Sequence, residues 1–305
     1  MKNEKSFKQI RKNLNASSVV IVGLVRNAEK SIAADLNRIQ NSFRDAKKIQ
    51  YIIVESDSKD NTSKAIKKLQ SNYSINYISL GNLIGNIPAR TERIAFCRNA
   101  YLNELKINKS YEFTDYVVVA DLDGVNSHIN ISSVRSCWGL KTDWDACFPN
   151  QLGPYYDIWA LRHPFWCSYD YFEKSDFLRS FNLSRSKINN ISLYTKMIKI
   201  PKNSNVIEVQ SAFGGMGIYK YECMKIATYI GKNSHQKEVC EHVYFHHQLC
   251  ENKKKLIINP AFINGAWNEH NKRLKLTNQV AEKLFFLFNS IFSFFHFQRC
   301  KKIFL

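Results

Sequence analysis

The chain has 305 residues, 45% hydrophobic and 23% charged. That balance excludes an intrinsically disordered protein and suffices for one large α/β domain, with or without a small appendage. Lys and Arg number 44 against 26 Asp and Glu, a formal net charge of +18, which favours phosphate-bearing substrates, polyanions or an anionic membrane face as partners. The basic residues are scattered, many of them in predicted helices (Lys64, Lys67, Lys68), and no nucleic-acid-binding motif accompanies them, so no nucleic acid partner is expected. The eight cysteines form no CxxC pair and no zinc-finger set. With a charged, polar N-terminus and no secretory apolar core, they predict a reduced, cytoplasmic protein.

Residues 1–17 read as a polar arm. Ser18–Val25 (SVVIVGLV) is a β-branched apolar run that predicts a buried parallel strand. Residues 29–43 follow with Ile32, Leu36, Ile39 and Phe43 at helical spacing. Gln50–Glu55 reads as a second strand, Asn61–Gln70 as a helix, and Ile75–Leu80 as a third strand. Ala89–Leu105 then reads as a helix and Asp115–Ala120 (DYVVVA) as a fourth strand. This alternation predicts right-handed βαβ units in an α/β, Rossmann-like domain, with a mostly parallel central sheet flanked by helices. Ligands of such sheets sit beyond the carboxyl ends of the strands, and Asp57, Asp60, Asp121 and Asp123 fall just there.

The second half is less regular. Trp144–Pro149, Val206–Gln210, Gly217–Lys220 and Leu256–Asn259 suit strands, and Glu241–Leu249 suits a helix. The aromatic run at 155–172 reads as core more than as a platform for sugar faces, and the polar stretch at 173–190 as a flexible flap. Residues 276–305 form a helical appendage containing LFFLFNSIFSFFHF (284–297) ahead of Arg299, Lys301 and Lys302. That segment falls short of the about 20 residues a membrane span needs. It reads either as a helix lying on an anionic membrane surface, on the inner face, or as one packed on the domain or a partner.

The strongest chemical signal is VVVADLDG (117–124). Two carboxylates at i and i+2 directly after a buried strand project side by side, where one can bind a hard divalent cation and the other its waters or sugar hydroxyls. SAFGGMGIYK (211–220) adds three glycines between probable strands, suiting either close backbone approach to a sugar or a tight turn.

Over residues 18–125 these pieces resemble the GT-A glycosyltransferases, family-2-like members in particular. SVVIVGLVRNAEKSI resembles their opening strand and helix. VESDSKDNTS (54–63) resembles their acidic strand end and Ser-x-Asp-x-Thr turn, and ARTERIAFCRNAYL with DYVVVADLDG their Arg-Asn helix and metal motif. The resemblance implies a nucleotide-sugar-binding half (18–125) and an acceptor half (126–275) of one domain. The donor would be a UDP- or GDP-sugar, the cofactor Mn²⁺ or Mg²⁺, and the acceptor a glycan or lipid-linked saccharide. It implies that Glu55 contacts the nucleobase, with Asp57 beside it, and that Asp60 and Thr62 fix the turn. Arg98 and Asp121 would contact the nucleotide-sugar and Asp123 would ligate the metal. The catalytic base would be Glu241 at a helix start, with Asp157 as its rival, and His270 a late metal ligand. His242 and His246, at i and i+4, have a spacing that can share a metal but read as structural. The family's acidic pair is broken by Ser56, and the metal motif has no third acid.

Two other readings compete. Asp-x-Asp-Gly also opens the site of haloacid-dehalogenase-like phosphatases, with Asp121 as nucleophile and Asp123 as acid, but there it follows the first strand, and here three predicted strands precede it. The other is a non-catalytic membrane- or polyanion-binding protein on a degenerate transferase fold, against which the intact strand-end acids weigh.

Overall fold

β1 (Ser18–Val25) sets the centre of the molecule: Val19 to Val22 are each exposed by 1% or less, covered on both faces. In the computed structural model, which describes residues 11–274, β1 is flanked by β2 (Lys48–Glu55) and β4 (Tyr116–Asp121), both parallel to it. Expectations that fall on 1–10 and 275–305, the apolar tail included, lie outside the described residues. The chain divides into two units, 1–266 and 267–305.

The first unit carries one eight-stranded sheet in the order β3-β2-β1-β4-β7-β5-β8-β6. Its remaining strands are β3 (Ile75–Ser79), β5 (Ala146–Gln151), β6 (Ile207–Glu208), β7 (Met216–Lys220) and β8 (Leu256–Gly265). β7 runs antiparallel to β4 and β5, and β6 antiparallel to β8. The other six strands share one direction, so the sheet is mostly parallel, as the strand–helix alternation predicts.

Helices α1 (Ile32–Ser42), α2 (Thr62–Leu69), α3 (Arg90–Ile107) and α4 (Ile131–Trp138) flank the first four strands. The stripe Ile32, Leu36, Ile39 and Phe43 is fully buried. α1 starts three residues later than its apolar spacing suggests, because residues 27–29 are bound elsewhere. Asn27 has φ 53°, and the N–H groups of Asn27, Ala28 and Glu29 donate to Ser58, Thr62 and Asp60.

The polar stretch at 173–190 is helical rather than a flap. α5 (Tyr171–Arg179) is capped by Asp170, which accepts from the N–H of Phe172 and Glu173, and α6 (Arg185–Ser192) is capped by Ser184. Only Ser175, Ile188 and Ser192 are buried in the two helices, so no core stripe marks them in the sequence. α7 (Tyr221–Ile226) and α8 (Glu241–Glu251) complete the unit. Among the described residues no helix is long and apolar enough to cross a membrane.

Candidate active site

The registers Val25↔Glu55 and Leu24↔Asp121 bring the carboxyl ends of β1, β2 and β4 level. At the end of β2, Glu55 is buried. Its Oε1 accepts the Ser58 N–H at 3.0 Å, and its Oε2 the hydroxyls of Ser79 at 3.0 Å and Tyr77 at 3.3 Å. Asp57 takes the left-handed backbone (φ 58°). Its Oδ1 accepts the N–H groups of Leu83 at 2.8 Å and Ile84 at 2.9 Å, and its Oδ2 lies 3.9 Å from Arg93 Nε. Burial pushes this carboxyl up, but those hydrogen bonds and Arg93 outweigh it and hold it below the usual range. Glu55 and Asp57 thereby anchor the 79–84 segment and line a cavity of about 550 Å³ with Lys59, Asn82 and Ile84, a volume typical of small-molecule sites. Beside it, Asp60 accepts the Thr62 N–H at 3.0 Å and its hydroxyl at 2.5 Å, and Thr62 in turn accepts the Ala28 N–H at 2.7 Å. Asp60 and Thr62 do fix the turn.

At the end of β4, the Asp121 N–H donates to the Gly215 carbonyl at 2.9 Å. The Asp121 carboxylate stands 3.6 Å from Arg98 Nη2. Arg98, on α3 and almost wholly buried, also donates from Nε to Glu241 Oε1 at 3.1 Å, joining residues 143 positions apart. Its guanidinium lies over the rings of Phe213 and Tyr229, at 5.3 and 5.6 Å. Burial raises the Asp121 carboxyl to about 7; Arg98 opposes the rise, while Asp123, Asp157 and Glu241 add repulsion. Two acids, Asp121 and Glu241, therefore share one arginine, with Asp123 and Asp157 close enough to repel Asp121. Asp157 accepts the Gly214 N–H at 2.9 Å and the Ala160 N–H at 3.4 Å.

Two features escape the sequence. Asp35, on α1 and 3% exposed, accepts the Gly124 N–H at 3.1 Å and pairs with Arg38 at 3.1 Å, so α1 grips the loop that carries Asp123. A buried amide set supports the same loop. Asn126 donates to the carbonyls of Asp121 at 2.8 Å and Gly215 at 3.0 Å, and accepts from Asn264 at 2.7 Å. Helical spacing puts Asp35 on the face of Ile32 and Ile39, but a carboxylate there reads by residue type as solvated, and nothing in the sequence links Asn126 to Asn264.

The glycine segment is a tight turn packed on the site. Gly214 and Gly215 have φ 67° and 87°, and a Cβ on Gly215 would lie 2.7 Å from Val125 and 2.9 Å from the Tyr156 hydroxyl. His242 and His246 belong to the core. His246 hydrogen-bonds Ser211 and Tyr219, each at 2.8 Å, and burial together with Arg98 lowers it to about 3. His270 lies in the second unit, 3.6 Å from Glu269.

Among the described residues, no group of three or more His, Cys, Asp or Glu is arranged to hold a metal ion by itself. A hard cation that bridges substrate phosphates needs only one or two protein carboxylates. Asp121 and Asp123 could supply these, and a cation would offset the burial and the acid–acid repulsion that together raise Asp121 to about 7, so the residues fit such an ion.

No protein-family model matches the chain, and no curated protein matches it. Among solved structures, S. aureus TarS 1-349 in complex with UDP-GlcNAc is similar at 13% identity and TM-score 0.48, over 83% of this chain and 60% of that one. The mannosyltransferase PcManGT from Pyrobaculum calidifontis, in complex with GDP-Man and Mn²⁺, is similar at 14% identity and TM-score 0.43, over 81% and 56%. Glucosyl-3-phosphoglycerate synthase from Mycobacterium tuberculosis, in complex with Mn²⁺, UDP and phosphoglyceric acid, is similar at 13% identity and TM-score 0.39, over 82% and 67%. The chain thus spans about three fifths of the TarS 1-349 structure.

Proposed function

We propose that the chain is a GT-A-type glycosyltransferase that moves a sugar from a UDP- or GDP-sugar to a hydroxyl of a glycan or lipid-linked acceptor. The observation that carries the reading is the Arg98 bridge, which ties the strand-end Asp121 to Glu241 at the start of α8.

In this reading the cavity beside Glu55 and Asp57 takes the nucleoside. Asp121 and Asp123 hold Mn²⁺ or Mg²⁺, which when bound neutralises the diphosphate leaving group. Glu241 is the base: Arg98 fixes its Oε1, and Oε2 takes the proton of the acceptor hydroxyl as that oxygen attacks the anomeric carbon. A carboxylate base acting directly on the acceptor corresponds to inversion. The 276–305 segment is a candidate membrane contact on the cytoplasmic face.

Calorimetric titration of UDP and GDP tests the reading, in Mn²⁺ and in EDTA, on the wild type and Asp123→Ala. Binding that needs Mn²⁺ and disappears in the variant is the expected result. Absence of nucleotide binding in every condition overturns it, and release of phosphate from phosphomonoesters would then favour the phosphatase chemistry of Asp121. Glu241→Gln should abolish transfer while leaving UDP or GDP binding intact. The same result from Asp157→Asn, with Glu241→Gln active, would move the base to Asp157.

A further inference from the structure

The α5–α6 hairpin contributes three small or aliphatic side chains to the interior and leaves large aromatic ones outside. Phe177, near the end of α5, and Phe181, four positions on in the turn that follows it, are each 62% exposed and meet edge to face at 5.1 Å. The sequence through the hairpin and the ten residues after it is one-sided in charge. Residues 171–202 hold seven Lys or Arg against two acids, Glu173 and Asp176, and Asp176 is already paired with Arg179 at 2.6 Å. About a tenth of the chain thus carries more than a quarter of its net charge of +18. An exposed phenylalanine pair on a basic segment suits the headgroup region of an anionic bilayer, where rings enter the acyl boundary and ammonium and guanidinium groups meet lipid phosphate. A second copy of this segment fits poorly, because two like-charged segments repel.

The hairpin is joined to the acceptor side of the site. Tyr171, the first residue of α5, stacks on Trp159 at 5.0 Å and 24°. Trp159 lies two residues beyond Asp157, a carboxylate close enough to Asp121 to raise it. The cap Asp170 is ion-paired with Arg162, so the base of the hairpin is fixed to the same segment.

We propose that the α5–α6 hairpin docks on an anionic membrane surface through Phe177 and Phe181 and its basic residues. Resting on the transferase reading above, this contact brings the acceptor side of the site to a lipid-borne acceptor. The residues involved are not those of the apolar run at 284–297, so the two make different demands on mutagenesis.

Flotation of the full-length protein with vesicles decides the matter, using phosphatidylglycerol–phosphatidylcholine vesicles and phosphatidylcholine alone. The wild type should float with the anionic vesicles only. Phe177→Ser with Phe181→Ser, and separately Arg185→Glu with Lys187→Glu, should weaken partitioning by about tenfold, with melting temperature and nucleotide binding unchanged. A wild type that does not float overturns the proposal. So do variants that float like the wild type, which would assign the binding to other residues, and variants that alter only a concentration-dependent mass, which would assign the phenylalanines to self-association. Flotation needs no turnover, so its failure is distinct from a failure of nucleotide binding in the calorimeter.

Discussion

Asp35 is a carboxylate on the buried side of an amphipathic helix, where burial raises its pKa against the pull of Arg38 and the Gly124 N–H. A helix core tolerates such a group only with partners, and its partners are the loop of Asp123 and a single arginine. Outer-shell groups of this kind typically alter metal affinity by about 10–100-fold. Asp35→Ala should therefore raise the Mn²⁺ concentration needed for half-maximal nucleotide binding by about tenfold while the protein stays folded; an unchanged Mn²⁺ titration would remove Asp35 from the site. Arg98 holds the larger stake. Its loss strands Glu241, 7% exposed, as an uncompensated buried charge, a change worth about 3 kcal/mol or more. Arg98→Ala should lower the urea midpoint accordingly, and Arg98→Lys should recover part of the loss, since an ammonium keeps the charge but cannot reach two carboxylates in a fixed fork.

At the scale of elements, the turn before β7 does what the strand ends cannot do alone. Gly215 accepts the Asp121 N–H, and its φ of 87° excludes a side chain without strain. Gly215→Ala should cost about 2 kcal/mol from the backbone conformation alone, with more from the contacts to Val125 and Tyr156, measurable as a shifted urea midpoint with unchanged slope. The glycine cluster was visible in the sequence, whereas its pairing with β4 was not, because β7 enters beside β4 from 95 residues downstream in an antiparallel register. β1, β2 and β4 were legible because both faces are covered and their apolar runs are continuous. The Asp121–Asp123 pair was legible because a polar pair directly after such a run has few other reasons to be there. α5 and α6 were not legible: helices that bury almost nothing leave no period to read. The Arg98–Glu241 contact was likewise hidden, since α3 and α8 are distant in sequence and meet only once the sheet has formed. Residue types mark the strands, and tertiary packing alone decides which charges meet.

Over the whole molecule, the two core histidines tie stability to pH. His246 is lowered to about 3 and His242 is lowered well below its ordinary value; burial is the main cause in each and the Arg98 charge adds to it. Both imidazoles are neutral in the folded chain: neither nitrogen of His242 has a hydrogen bond among the described residues, and the Glu241 carboxylate 3.8 Å from its Nε2 is already held by Arg98. The unfolded chain, with histidines near 6.5, binds protons that the folded chain refuses, so stability must fall as pH drops below about 6.5. For His246 the loss reaches about 2 kcal/mol by pH 5, at 1.36 kcal/mol per unit. Asp121, raised to about 7, acts in the opposite sense over this window, and the growing positive charge of an already basic chain adds a general loss. A single acid titration therefore does not isolate the histidines, but a paired one does. His246→Gln keeps a polar group facing Ser211 and Tyr219 and removes the titration. Between pH 6.5 and 4.5 the wild type should lose stability more steeply than this variant, by about 1.4 kcal/mol per unit, read as the difference between their urea-derived stabilities at each pH. Parallel curves would mean that the folded chain accepts a proton on His246 about as readily as the unfolded one does.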